Sequence, residues 1–317
     1  MATVQIQPEV GAGRWRELAA RDVTIIIPTF RNVRYLPAAF ESALHAPAAA
    51  VIIADDGCGL AEREVIARFE AEHGPRLRAL PSEVQRGIAA NLNEAIRRVR
   101  TPYFARLDCD DVLYPGHIEE AYRLLVEQPD VAAVAGGAVR IGSEENLEFR
   151  AGSLAPYRPD PAPRILRGVE AFRFALEWNP NPSSSGTVYR TAAFHDVGDF
   201  NPRVPWGEDW EIWFRFAQRW DLAYMDAPSA LYRIHARATT AEFSREDRLC
   251  FAYADIYSRA ARLCPYPDMK PDFRRAFLRV ARLYAGSALR RARRLRWDSL
   301  VCALRAAQAL ATAAARS

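Results

Sequence analysis

Tyr103-Phe104-Ala105-Arg106-Leu107-Asp108-Cys109-Asp110-Asp111 runs from an apolar segment straight into three carboxylates within four residues. Carboxylates this close repel one another, and keeping them all ionised requires a cation or a positively charged site. Hard oxygen ligands at a strand end suit Mg²⁺ or Mn²⁺ better than Zn²⁺. A cation held by one or two carboxylates completes its shell with substrate phosphates and water, so the stretch points to a diphosphate-bearing substrate. The alternative is a solvated acidic turn that caps the helix after it.

Reading outward from this stretch, strands and helices alternate. Residues 23–27 are a β-branched run of the kind buried on both sides, and Pro28 ends it. A helix is predicted over 33–44, with Leu36, Phe40 and Leu44 on one face. A second buried strand, 51–54, is ended by Asp55, Asp56 and Gly57. Then follow a helix at 60–73, a strand at 77–80, a helix at 87–99 and the strand 103–107. A helix over 115–127, with proline near its start, and a strand over 131–135 continue the pattern. Such alternation predicts an α/β fold, a mostly parallel sheet with helices on both faces. Ligands of such sheets bind beyond the carboxyl ends of the strands. Pro28, Asp55, Asp56 and the acidic stretch all fall there, which favours a binding site over a solvated turn.

Residues 151–182 are proline-rich and read as loop or insertion. The pattern resumes with a strand at 186–189 and an aromatic-rich helix opened by Trp206-Gly207-Glu208-Asp209 and reaching about Trp220. A strand over 231–235 ends in His235, and from about 244 the chain reads as helices only. The expected organisation is an N-terminal extension over 1–21, a catalytic domain over 22–237 and a helical basic extension over 238–317.

Half of the 317 residues are hydrophobic, enough for a sizeable core. No apolar run reaches the roughly 18 residues of a membrane span. Glu9 and Glu17 interrupt the N-terminus, which does not read as a signal peptide. The five cysteines are odd in number, widely spaced and without a Cys-x-x-Cys pair, as expected of reduced thiols in the cytoplasm. Charge is uneven: residues 238–317 hold 16 basic and 7 acidic side chains, although the net charge is only +4. Ten of those basic residues lie in 270–296, with Asp272 the sole acid there. Phe273, Phe277, Val280, Ala281 and Tyr284 recur among them at helical spacing. Two expectations follow: a basic amphipathic helix lying on an anionic membrane surface, or a helix packing its apolar stripe on the rest of the chain. A nucleic-acid partner is not expected, because the remaining chain is acidic and has no recognition motif.

The ordered set Ile27-Pro28-Thr29-Phe30, Ala54-Asp55-Asp56-Gly57, Arg86-Gly87 with Asn93, Asp108-Cys109-Asp110-Asp111 and Gly207-Glu208-Asp209 resembles the family 2 glycosyltransferases of GT-A fold. The resemblance covers roughly residues 22–236. It implies inverting transfer of a single sugar from a nucleoside-diphosphate donor, with UDP expected, to an acceptor hydroxyl. It implies a nucleotide-sugar half over 22–111 and an acceptor half over 112–237. Donor contacts are implied for Pro28, Thr29, Phe30, Asp55, Asp56, Arg86, Asn93 and Asp108, with Asp56 on the base. The chain has Gln85-Arg86-Gly87 where many members have Asn-x-Gly. The resemblance also implies Mn²⁺ or Mg²⁺ at Asp110, with Asp111 as a second candidate ligand and His235 completing the site from Tyr232-Arg233-Ile234-His235. Asp209 is implied as catalytic base, with Glu208 orienting the acceptor or supporting its loop. Trp206 and Trp210 either face a sugar ring or belong to the core. Cys109 lies between carboxylates on an extended segment and is expected to point inward. The expected acceptor is a glycan or lipid-linked glycan of bacterial surface polysaccharide synthesis, and the basic stretch 270–296 would meet it at the inner face of the plasma membrane. The rivals are a non-catalytic sugar-nucleotide-binding relative and a nucleotidyltransferase. The second would normally carry a Gly-rich basic loop after the first strand, and Pro28-Thr29-Phe30-Arg31-Asn32 has no glycine.

Overall fold

The computed structural model describes residues 12–143, 163–177, 184–204, 206–239, 241 and 248–292, the side chains of 12, 177, 248, 250 and 283–292 excepted. The N-terminal part of the expected extension and most of the proline-rich segment lie outside the described residues. In chain order the elements are α1 (Ala12–Asp22), β1 (Val23–Thr29), α2 (Leu36–His45), β2 (Ala50–Asp55), α3 (Leu60–His73), β3 (Leu77–Leu80), α4 (Ile88–Ile96), β4 (Tyr103–Arg106), β5 (Val112–Leu113), α5 (His117–Glu127) and β6 (Val131–Gly142). They continue with β7 (Arg164–Leu166), α6 (Gly168–Glu177), β8 (Val188–Arg190), α7 (Thr191–Val197), α8 (Glu208–Phe216) and β9 (Asp221–Ile234). Two long helices, Arg248–Leu263 and Lys270–Ala292, follow.

The chain divides into two compact units. The first comprises Met1–Ile165, Asn181–Asp199 and Ala223–Arg233. Its core is a sheet in the order β3-β2-β1-β4-β8-β6-β9-β5, with β7 beside β9. The β3-β2-β1-β4 part is parallel, as the alternation predicts. Beyond β4 the pairings with β8 and β6 are antiparallel. Side chains alternate across the strands. Ile25, Ile27, Val51 and Ile53 join the core cluster that also holds Leu36, Phe40, Phe69 and Ile118 of α2, α3 and α5. Phe104, of opposite parity to Tyr103 and Ala105, meets Phe194 of α7 edge to face at 5.3 Å. Both faces are thus covered, and the β-branched runs are buried throughout.

Pro28 does not end β1, as the sequence suggests, but lies within it, paired with Ala54. The backbone groups of Ile26 face β4, shown by the 2.9 Å bond from Leu107 N–H to the Ile26 carbonyl. Pro28 shares that parity, and the pairing with β4 has ended by then, at Ile26. Its missing N–H therefore costs the ladder nothing. His117 is fully buried, bonded through Nε2 to the Gly186 carbonyl at 2.7 Å, and burial pulls it down to about 4. Gly186 itself has φ +86°, and a Cβ there would lie 2.7 Å from Ser229 Cβ and 2.8 Å from the Ser229 carbonyl oxygen. Only glycine meets both conditions.

The second unit comprises Leu166–Pro180, Phe200–Leu222 and Ile234–Ser317. Here α6 and α8 group with the long C-terminal helices. Tyr257 meets Phe277 edge to face at 5.6 Å, and its hydroxyl donates to the Leu176 carbonyl at 3.3 Å. Phe273, Ala276, Phe277, Val280 and Ala281 are all buried. From 273 to 281 the apolar stripe is thus taken up by packing within the unit, the second of the two expectations for it. Tyr284 and the arginines at 290, 291, 293, 294 and 296 lie outside the described side chains. No helix among the described residues is long and apolar enough to cross a membrane.

Candidate functional site

In the first unit, the carboxyl ends of the parallel strands gather most of the residues singled out by sequence. β2 and β4 both pair with β1, so Asp56, Thr29 and the acidic stretch leave neighbouring strands at the same edge. Asp56 is buried and accepts from the backbone N–H of Arg86 at 2.6 Å and of Gly87 at 3.0 Å. The loop ahead of α4 is thereby clamped to β2. The Arg86 side chain is exposed, while Asn93 is buried on α4. Asn91, which the sequence did not single out, donates to the Ala54 carbonyl at 2.7 Å and seats α4 on β2.

Asp55 faces inward. It accepts from Cys58 N–H at 2.7 Å and lies 3.3 Å from Arg63 Nε, so it holds the turn after β2 instead of opening to a ligand. Burial, followed by the Asp55 carboxylate, pushes the Cys58 thiol up to about 12. Pro28 and Thr29 are buried strand residues, and Phe30 is half-buried at the start of the loop. Arg31 follows with φ 53°, and its guanidinium lies 4.6 Å from the Phe30 ring centre. A non-glycine residue in this region stores about 1–2 kcal/mol of strain, a feature that concentrates where loops are held for function.

The acidic stretch forms a turn beyond β4, closed by the bond from Asp111 N–H to the Asp108 carbonyl at 3.1 Å. Its carboxylates diverge. Asp108 accepts from Arg106 Nε at 2.8 Å and from Ser184 Oγ at 3.0 Å, and keeps a quarter of its side chain exposed. Asp110 is half-buried and accepts from Asn32 Nδ2 at 3.3 Å. Cys109 points into the core, and burial raises its thiol well above the ordinary range. Asp111 is buried with both oxygens engaged, one accepting from Ser185 Oγ at 2.6 Å, the other from Arg233 N–H at 2.8 Å. Burial, then the charges of Asp110 and Asp108, push it well above the usual carboxylate range. Asp111 therefore holds the loop, which speaks against it as a ligand.

Among the described residues, no three His, Cys, Asp or Glu side chains are grouped to hold a metal ion. The donors that remain are Asp108 and Asp110, hard oxygens on one turn. Two carboxylates fit a Mg²⁺- or Mn²⁺-type ion that takes the rest of its shell from phosphate and water, and do not make a closed protein cage.

In the second unit, Glu208, Asp209 and Glu211 occupy the first turn of α8, all buried. The positive end of the helix dipole favours carboxylates there. Gly207 precedes them with φ +80°, and a Cβ would lie 2.7 Å from Ile256 Cδ1. Its carbonyl accepts from Trp210 N–H at 3.0 Å and Glu211 N–H at 2.9 Å. Glu211 pairs with Arg215 one turn on, at 2.9 Å. Trp210 belongs to the core: it is fully buried and its indole N–H donates to the Ala175 carbonyl at 2.8 Å. Trp206 is half-buried and stacks on Tyr253 at 5.7 Å. His235 is buried, and its Nδ1 lies 3.3 Å from Arg237 N–H, which donates to it. A neutral imidazole accepting there carries its proton on Nε2, so ligation through Nε2 requires the other tautomer.

Comparison with known proteins agrees with this architecture. The family model described as Glycosyl transferase family 2 matches residues 24–198. An uncharacterized glycosyltransferase of Rickettsia felis is 23% identical over 237 residues, 72% of this chain and 36% of that protein. One from Rickettsia prowazekii is 26% identical, over 69% of this chain and 65% of that protein. The chain spans about a third of the length of the first curated relatives it matches. Among solved structures, the mannosyltransferase PcManGT from Pyrobaculum calidifontis, in complex with GDP-Man and Mn²⁺, is similar at a TM-score of 0.59 and 17% identity, covering 96% of this chain and 81% of that one. S. aureus TarS 1–349 in complex with UDP-GlcNAc gives 0.53 at 14% identity, covering 90% and 91%. At such identities the likeness shows the fold alone, which is GT-A. The family match extends over more than half of the sequence and takes in the first four of its five motif positions, so this chain belongs to glycosyl transferase family 2.

Proposed function

We propose that this chain transfers a single sugar from a nucleoside-diphosphate donor, with UDP the expected nucleotide, to an acceptor hydroxyl, inverting the anomeric configuration. One observation carries it: Asp56, Asp108 and Asp110 leave neighbouring strands of a GT-A sheet at their carboxyl ends, where such sheets bind ligands. Asp56, already clamping the Arg86-Gly87 backbone, holds the base. Asp108 binds the donor, oriented by Arg106 and Ser184. Asp110 holds Mn²⁺ or Mg²⁺ with Asp108 beside it, and His235 is the further ligand to test. When bound, such an ion neutralises charge on the departing diphosphate.

Asp209 takes the proton from the acceptor hydroxyl while its oxygen attacks the anomeric carbon. The new C–O bond forms on one face as the bond to the nucleoside diphosphate breaks on the other. One displacement inverts the centre, and no carboxylate nucleophile is used. Glu208 orients the acceptor. The acceptor is a glycan or lipid-linked glycan of surface polysaccharide synthesis, presented at the cytoplasmic face of a membrane. With the stripe from 273 to 281 packed inside the second unit, the attraction to that membrane supplied by arginine charge is screened by salt.

A thermal-shift screen of nucleotides and nucleotide sugars, with and without Mn²⁺, tests donor binding. A ligand specific to the folded state adds about 2.7 kcal/mol at a hundred times its Kd. The expected result is a rise in melting temperature with one nucleoside diphosphate and its sugar, larger with Mn²⁺ and reduced by chelator. No shift with any of them would remove the donor assignment.

A further inference from the structure

Arg233 is a buried cation of the first unit that the proposed transfer does not use. It is 2% exposed, at the end of β9. Taking a guanidinium out of water is costly unless its donors are met. Here they are met by the loops that surround the acidic turn. Nε donates to the Asp110 carbonyl at 2.9 Å, and Nη1 donates to the Gly142 carbonyl at the end of β6 at 3.2 Å. The guanidinium carbon lies 4.5 Å from the centre of the Tyr35 ring, in the loop between β1 and α2. The Arg233 backbone N–H donates to Asp111 Oδ1 at 2.8 Å.

Asp111 carries the connection onward. Its Oδ2 accepts from Ser185 Oγ at 2.6 Å, and the same Oγ accepts from Asp108 N–H at 3.0 Å. Ser185 is held in turn, because Ser229 Oγ donates to its carbonyl at 2.9 Å. The backbone on each side of Asp110 is therefore gripped from β9 and from the segment before β8. Three mutually repelling carboxylates on one turn would otherwise splay apart.

We infer that Arg233, through its guanidinium on the Asp110 carbonyl and together with Ser185 on Asp111, is a positioning residue that fixes the direction in which Asp110 presents its carboxylate to a divalent cation. This rests on the metal-assisted transfer proposed above. The planar guanidinium sets two donor directions at once, which a lysine ammonium does not reproduce. Asp111 serves the lock and not the cation.

The test is direct Mn²⁺ binding to the full-length protein, followed by the electron paramagnetic resonance signal of the free ion, with and without nucleoside diphosphate. Arg233→Lys and Ser185→Ala are each expected to weaken Mn²⁺ binding by about 10- to 100-fold, the range seen when groups supporting a metal ligand are removed. Affinity for the free nucleoside, which lacks phosphate, stays as in the wild type. The double variant loses less than the product of the two, because both side chains grip the same turn. Turnover recovers as Mn²⁺ is raised. Variants that melt earlier yet titrate Mn²⁺ as the wild type does would overturn the inference and reduce Arg233 to a structural residue. A wild type that binds no Mn²⁺ would overturn the metal assignment itself, and the inference with it.

Discussion

Asp209→Asn is expected to fold, to bind the donor as tightly as the wild type, and to lose sugar transfer by about 10² to 10⁴. The substitution changes no volume and keeps an acceptor oxygen at the start of α8. At the start of that turn the Gly207 carbonyl accepts from Trp210 and Glu211 N–H, backbone bonds that the substitution leaves in place. What disappears is the ability to take a proton from the acceptor hydroxyl. The loss should therefore appear in kcat at saturating donor, with donor affinity unmoved. Glu208→Gln is the informative comparison, since Glu208 is its neighbour on the same buried turn. If Glu208→Gln abolishes transfer while Asp209→Asn retains it, the base is Glu208.

Asp56→Ala is expected to act in the opposite way, weakening donor binding by about 10- to 100-fold, the equivalent of one hydrogen bond to a charged group. Two losses combine. The base loses its partner, and the N–H groups of Arg86 and Gly87 lose the carboxylate that receives both of them. The loop ahead of α4 then has nothing tying it to β2 at that point, and stability falls by about 1–3 kcal/mol. Asp56→Asn should fall between the two, because one amide oxygen accepts one N–H and its NH₂ repels the other. Isothermal titration with the nucleotide reads the affinity, and kcat at saturating donor should change far less than affinity does. Equal affinity in wild type and Asp56→Ala would remove Asp56 from the donor site.

Much of the first unit was legible because its signals are local. The β-branched runs at β1 and β2 are buried on both faces, and such runs look the same in sequence as in structure. α3 and β3 occupy the spans their patterns predict. β9 did not, since Pro228 sits in the middle of a strand that runs from Asp221 to Ile234, and proline reads as a strand breaker. β6 continues through Gly136 and Gly137, which weaken strand signals in the same way. β7 and α6 lie inside the proline-rich stretch 151–182 that reads as loop, and α1 in what reads as an extension.

The candidate site divides along the same line. Asp56, Asp108, Asp110 and Asp209 could be singled out because each stands in a short motif. The roles of Asp111, Ser185 and Arg233 could not. Asp111 meets Ser185 74 positions away and Arg233 122 positions away, and no spacing in the sequence announces either bond. Arg233 did stand in a recognised segment, Tyr232-Arg233-Ile234-His235, but attention there goes to the histidine. Asp55 is the converse case. It sits beside Asp56 in sequence, yet alternation along the strand end turns its carboxylate inward to Cys58.

The most direct measurement is release of nucleoside diphosphate from a panel of UDP- and GDP-sugars, in the presence of Mn²⁺ and a glycan or lipid-linked glycan acceptor preparation. Release is expected from at least one donor, dependent on acceptor, abolished by excess chelator and restored by added Mn²⁺, and reduced by about 10² or more in Asp209→Asn. Release that persists undiminished after thorough chelation, or that is the same in Asp209→Asn as in the wild type, would contradict the proposed transfer chemistry.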